Sequence, residues 1–465
     1  MKKYYFIFFG IKEEFGLDNS QYKQELRRTL TFKDLVIYGM VFMAPLAPMQ
    51  VYGAVAQQSF GMVPLVYCIG VIALMFTAFS YRHMSKEFPY AGSVYSYVSR
   101  GMNPHVGFIA GWLILADYIL CPALLYAFAG VWMAGILPQV PAFVWTLIFV
   151  VCNTLINVRG ITMTARANLF MFWMQIVTLI VFLGIAVKFV LVDGHGMGGF
   201  SLAPLFQADH VDFGFIATAT SIAVLGFLGF DGISTLAEEA RDPVKTVGKA
   251  TVLSILLSGL LFFIQVYMAA LIHPQYETLN PDMGFFEIAR EAGGPVFYTV
   301  LILINVVAVG IAVTLNVQSA TARVLYSMSR ENLLPFAQVL AKIHPKYQTP
   351  VHATIFCALL SIVVTFCLSI ETLYKFVTFG AITAFMMLNA TIIVYFYGKK
   401  KRRGAKGFLT YAVTPFIGLL ITGYVWSGFD RMTFTVGFAW VLIGIIVGYL
   451  KSGGYRKVAP VLKDL

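Results

Sequence analysis

The sequence predicts an all-α polytopic membrane protein of twelve transmembrane helices. Three observations carry that expectation. Of the 465 residues, 59% are hydrophobic and only 12% charged. Apolar runs of about 18 residues or more, each long enough to cross a hydrocarbon core, recur at short intervals. The basic residues gather in alternate connections between those runs.

The runs lie near 33–57, 62–81, 105–137, 141–157, 165–191 and 214–238, then 249–272, 294–327, 351–369, 373–397, 408–427 and 433–450. With the N-terminus cytoplasmic, the inner segments hold 29 of the 33 Lys and Arg residues, and only Lys188, Arg290, Lys375 and Arg431 fall outside. The formal charge of +11 is thus a positive-inside signal, which predicts both termini in the cytoplasm and excludes a nucleic-acid partner. The run "KKKRRGAK", 399–406, reads as a topology determinant, with attraction of anionic lipid as the alternative. The opening "MKKYYFIFFGIKEEFG" is followed by no small-residue cleavage site and reads as an interfacial or poorly ordered segment.

Two spans are interrupted. The first carries Pro45 and Pro48 in "VFMAPLAPMQVYG", 41–53, and proline removes a backbone donor and crowds the preceding turn. The sixth carries Gly226, Gly229 and Gly232 around Asp231 in "VLGFLGFDG", 224–232. Breaks in the first and sixth spans are what an inverted repeat of five plus five helices predicts for a secondary transporter, with the solute at the midplane between them. Ordinary kinks packed against neighbours are the other reading. On the repeat reading, residues 1–32 form a cytoplasmic N-terminal segment, 33–191 the first repeat, 214–397 the second, 408–450 two further helices and 451–465 a cytoplasmic tail.

Asp117 sits in "WLILADYILCPALL", 112–125, with about a dozen mostly apolar residues on either side. An aspartate at a helix centre costs roughly 2.5–3.5 kcal/mol on insertion scales, so such groups face the bundle interior, where they pair or line a path. A cationic amine is a natural partner; a protonated, hydrogen-bonded aspartate that fixes helix packing is the alternative. Trp112, Tyr118, Phe227 and Phe230, and to a lesser degree Tyr95, offer cation–π faces, although most rings in a chain with 15% aromatics simply pack.

Enzyme motifs are missing: the sequence has no HExxH, GxSxG or Walker loop, and its seven histidines are scattered. Cys68, Cys121, Cys152, Cys357 and Cys367 show no CxxC spacing and read as small packing residues, so neither a metal nor another cofactor is expected. The glycine-rich "DGHGMGGF", 193–200, reads as a flexible outer connection.

"GFLGFDGISTLAEEARDP", 226–243, resembles the sixth-span signature of the amino acid, polyamine and organocation (APC) superfamily. "ATARVLYSMSRENLLP", 320–335, resembles its eighth-span ending, and "EFPYAGSVYSYVSRGMNPHVGFIAGW", 87–112, is similar to its segment joining spans two and three. The resemblance extends over roughly residues 26–455. "NPHVGFIAGW", "DYILCP" and "FLGFDGISTLAEE" are most similar to the bacterial putrescine importer branch. The resemblance implies a LeuT-type fold with helices 1 and 6 broken, a plasma-membrane location and transport by alternating access.

Amino-acid carriers of the superfamily usually have a glycine-rich break in the first span, where exposed amides bind the substrate carboxylate. Here "MAPLAPM", 43–49, has no glycine and two residues that cannot donate. This departure favours a solute carrying amines alone, putrescine or another polyamine, over an α-amino acid, which stays as the rival substrate. The candidate substrate site is therefore Ala44, Pro45, Pro48, Trp112, Asp117, Tyr118, Gly226, Phe227, Gly229, Phe230 and Asp231. The resemblance also implies a coupling position midway along span five, a lysine in some proton-coupled relatives; Gln175 falls there, and it does not titrate. Proton coupling would then rest on Asp117 or Asp231. Glu238 and Glu239 form a gate or salt bridge with Arg323 or Arg330, or else a solvated helix end.

Overall fold

The computed structural model describes residues 28–89, 93–160, 165–210, 212–330, 336–347 and 349–454. The expectations for the N-terminal segment, for Glu331–Pro335 of the eighth-span motif and for the end of the tail fall outside them, as does the Arg330 side chain.

The regular elements among the described residues are helices: α1 Phe32–Met43, α2 Pro48–Gln58, α3 Val63–Glu87, α4 Ser93–Gly101, α5 Pro104–Ile136, α6 Ala142–Val158, α7 Ala165–Val187, α8 Phe213–Ala223, α9 Pro243–Ile272, α10 Gly284–Asn305, α11 Thr314–Arg330, α12 Ala337–Leu340, α13 Val351–Cys367, α14 Ile370–Ile392, α15 Ala405–Phe408, α16 Thr414–Ser427 and α17 Arg431–Lys451. Among the described residues, nine helical stretches are long and apolar enough to cross a membrane, and the bent pair α1 and α2 makes a tenth. α6 and α13, at 17 residues each, are apolar but shorter. This is a multi-pass membrane protein, with an apolar interior and an outer surface that exposes Leu, Ile, Val and Phe to the acyl chains.

Both predicted breaks are present. α1 begins at a capping box, Thr31 with Asp34, and ends where Ala44 takes φ +52°, a conformation that disfavours a side chain with a Cβ. The axis then turns by 55° into α2. Pro48 is the first residue of α2, the one helical position where a missing N–H costs nothing. At the second break, α8 tightens into 3-10 turns at Val224–Phe227, interrupts at Leu228 and Gly229, and resumes as 3-10 turns over Phe230–Leu236. Gly229 has φ +106°, and a Cβ there would stand 2.8 Å from Cδ1 of Phe42.

Irregular backbone inside a membrane needs substitute hydrogen bonds, and buried side chains supply them. Gln265 of α9 donates to the carbonyl of Pro45 at 3.0 Å. Asn153 of α6 donates to the carbonyl of Gly310, inside a wide π-helical stretch at Val306–Val313 between α10 and α11. Thr321 donates to the carbonyl of Tyr118 at 2.6 Å. Elsewhere the Asn389 side chain of α14 donates to the Thr77 hydroxyl and accepts from that of Ser80, one turn apart on α3, which ties two regular helices together.

Two faces can be followed from these contacts. At one, where α1 begins, Thr29 and Leu30 donate backbone bonds to the carbonyl of Glu239, and Arg241 donates back to Leu30. At the other, the segment 279–283 gathers the far ends of α2 and α5: Gln57 donates to the carbonyl of Leu279 and Ala54 to that of Pro281, while Met283 packs against Gly135. Three of the four basic residues assigned outside the inner segments have local partners: Lys188 pairs with Asp193, Arg290 lies over the Tyr298 ring, and Lys375 bridges Glu371 and Asp430 at 2.6 Å each.

Candidate functional site

A cavity of about 90 Å³ opens between the two breaks, room for several waters or one small solute. The first break contributes Ala44 and Ala47, and the first turn of α2 contributes Gln50. Gly226, Gly229 and Asp231 come from the second break, and Asp117, Tyr118 and Cys121 from α5. Val309, Val313, Val317 and Val377 complete a mostly apolar wall, two of them from the π-helical stretch.

The polar groups are few and held differently. Asp231 is buried, and its Oδ2 accepts a hydrogen bond from the Ser93 hydroxyl at 3.1 Å, with the Tyr81 hydroxyl 3.2 Å from Ser93 in turn. That short chain of hydroxyls fixes one carboxylate oxygen and leaves the group facing the cavity. Asp117 lines the same cavity and is partly exposed to it. Two carboxylates from different elements thus share one small compartment, an arrangement that favours a cation between them.

The first break offers little to an anion. Pro45 and Pro48 have no amide hydrogen, and the amides of Ala47, Met49 and Gln50 donate to Ala44, Leu46 and Ala47. Among the described residues only the Leu46 amide of this break has no acceptor, a single N–H where a half-helix anion site presents several.

Six of the eleven sequence candidates line the cavity: Ala44, Asp117, Tyr118, Gly226, Gly229 and Asp231. Pro45 and Pro48 shape the break without lining it. The other three do not line the cavity. Trp112 stacks on Trp440 at 4.7 Å, and each indole N–H donates to the other's carbonyl, which commits Trp112 to α17. Phe227 packs on Phe262 and Tyr67, and Phe230 on Tyr81 and Phe385; both rings are fully buried. The aromatic cage expected for an amine reduces to Tyr118 with Phe42 at the wall.

Sequence reading missed Phe42, Gln50 and the valines. The valines looked like any apolar span, whereas Gln50 was a polar residue in an apolar run and was legible in principle. Cys121, read as a packing residue, lies one helical turn beyond Asp117 on the cavity wall. Gln175 lines a second cavity of about 20 Å³ with Asn168 and Asn316, separated from the first by Phe42, Val313 and Val317, which border both. The Glu239 carbonyl accepts backbone hydrogen bonds from Thr29 and Leu30, and among the described residues Glu239 forms no ion pair with Arg323.

Paired broken helices around a small central compartment define a membrane transport protein rather than an enzyme. The amino acid permease family matches residues 35–451, and the chain belongs to that family, within the APC superfamily. It is 30% identical to the low-affinity putrescine importer PlaP of Escherichia coli (strain K12), over 95% of this chain and 97% of that one. It is 26% identical to the branched-chain amino acid permease BcaP of Bacillus subtilis, over 94% and 95%. To the human cationic amino acid transporter 4 it is 25% identical, over 84% of this chain and 63% of the other.

Proposed function

We propose that this permease is a secondary active transporter that imports a cationic amine, putrescine or another polyamine, by alternating access across a bacterial plasma membrane. The observation that carries the reading is the pairing of Asp117 and Asp231 in one cavity beside a first break that keeps a single uncommitted amide, that of Leu46. An α-amino acid needs a donor set for its carboxylate. A diamine needs only acceptors. The likeness to PlaP supports the same choice.

Counting α6 and α13 as short spans gives twelve crossings, puts the breaks in the first and sixth, and supports a 5+5 inverted repeat at 33–191 and 214–397 with two helices after it. The charge distribution supports cytoplasmic termini. A dication gains about 4.6 kcal/mol per 100 mV of membrane potential, a concentration ratio of roughly 2000, so uptake can run without a coupled ion. If protons are coupled, Asp117 or Asp231 carries them, since Gln175 has no proton to exchange.

The test is labelled putrescine uptake in proteoliposomes by wild type and Asp117→Asn. Loss of a hydrogen-bonded charge pair predicts a fall of about tenfold to a hundredfold in uptake at low substrate; undiminished transport would overturn the assigned role. The BcaP likeness favours a second reading, an amino-acid permease. It predicts that leucine or another α-amino acid competes with putrescine at comparable concentration.

A further inference from the structure

Eight Asn and Gln side chains are buried among the described residues, and seven of them donate side-chain hydrogen bonds to the protein. Gln50 is the eighth. It is 7% exposed, it lines the main cavity, and among the described residues its amide makes no hydrogen bond. Its polar atoms open onto the cavity, where a solute can satisfy them, unlike the enclosed and unpartnered side-chain oxygens of Asn153, Gln175, Gln265 and Asn305.

The position of Gln50 says what that partner is. Asp231 leaves the second break toward Leu236 and Glu239, the face where α1 begins. Gln50 leaves the first break toward Gln57 and the segment 279–283, the opposite face. Along α5 the lining runs from Asp117 to Leu125, about 12 Å nearer that same opposite face. The carboxylates thus enter the cavity from one side of the breaks and Gln50 from the other, with Val309, Val313 and Val377 on the apolar wall.

We propose that Gln50 binds the far end of the solute, so that the site selects an apolar chain with a hydrogen-bond donor at both ends: one ammonium at Asp117 and Asp231, the second at the Gln50 carbonyl oxygen. The inference rests on the cationic-amine reading and deepens it by making one amine insufficient. An amide oxygen, unlike a third carboxylate, accepts the second ammonium without holding a dication too tightly to release.

The experiment compares putrescine with 1-aminobutane, which has the same four-carbon chain and one amine, as competing solutes in proteoliposomes. Wild type prefers putrescine by at least about tenfold, the worth of a hydrogen bond to a charged group. Gln50→Met, which keeps the length and removes the acceptor, lowers that preference about tenfold, the loss falling on the KM for putrescine. Gln50→Glu raises the preference. If Gln50→Met keeps the wild-type preference, or loses both solutes in equal proportion, Gln50 reads no solute end and the inference fails. Should the Met variant not reach the membrane, a Glu variant with preference unchanged or lowered overturns the inference by itself. A wild type that carries neither amine overturns the cationic-amine reading and this inference together, whereas a diamine carrier with insensitive Gln50 variants overturns the inference alone.

Discussion

The two breaks face one cavity and are built from opposite chemistry. The first is proline-made, with the amides of Ala44, Ala47, Met49 and Gln50 committed and the Pro45 carbonyl capped by Gln265 from another helix. The second is glycine-made, with Gly229 at φ +106° against Phe42 and a carboxylate two residues later. A proline break is silent toward anions and supplies wall and shape; a glycine break lets two backbones approach and brings in charge. Function follows from the pair, since neither alone holds a cation in an otherwise apolar chamber.

The largest expected effect comes from the glycine side. Gly229→Ala places a Cβ against Phe42 in a backbone conformation that L-residues avoid, which costs about 1–3 kcal/mol for the conformation alone before the clash is counted. A marked fall in thermal stability in detergent, together with loss of uptake, is the expected result. A variant with wild-type stability and uptake would mean that the second break does not depend on this glycine.

The proline side breaks differently. Gln265→Leu leaves the Pro45 carbonyl without its cap, a loss of about 1–3 kcal/mol, and lowers the melting temperature without touching any group that lines the cavity. Pro48→Ala restores one N–H at the first position of α2 and is tolerated there, because proline at that position removes no helical bond. Because Pro48 contributes nothing to the cavity wall, the expected result is stability within about 0.5 kcal/mol of wild type and unchanged competition by α-amino acids against putrescine. A several-fold gain in that competition would show instead that the missing amide helps to exclude a carboxylate.

Much of this was legible in the chain. Both breaks, Asp117 and Asp231 were readable because each violates a local rule of membrane helices, a helix breaker or a charge inside an apolar run. Which rings line the cavity was not legible, for the converse reason. Trp112, Phe227 and Phe230 obey the rule, and only their neighbours Trp440, Phe262 and Phe385, distant in sequence, decide whether a ring faces a solute or another ring. Gln50 violated the rule quietly, one polar residue beside two prolines.

The smallest effect lies away from both breaks. Asp430 caps α17 and faces Lys375, which Glu371 also contacts. Burial works to raise the Asp430 pKa, but the Lys375 ammonium and the Thr433 amide outweigh it and bring the pKa down to about 2. A carboxyl depressed in the folded state stabilises above its unfolded pKa of about 3.9 and loses that contribution as pH falls toward the folded value. The pair is partly exposed, so its worth is at most about 1 kcal/mol. Lys375→Met should therefore lower the melting temperature slightly at pH 7, and the difference from wild type should shrink between about pH 4 and pH 2. Putrescine uptake at pH 7 should stay unchanged, because Lys375 lines neither the cavity nor its breaks; a large fall in uptake would tie this ion pair to transport and erase the separation between a structural rim and a functional centre.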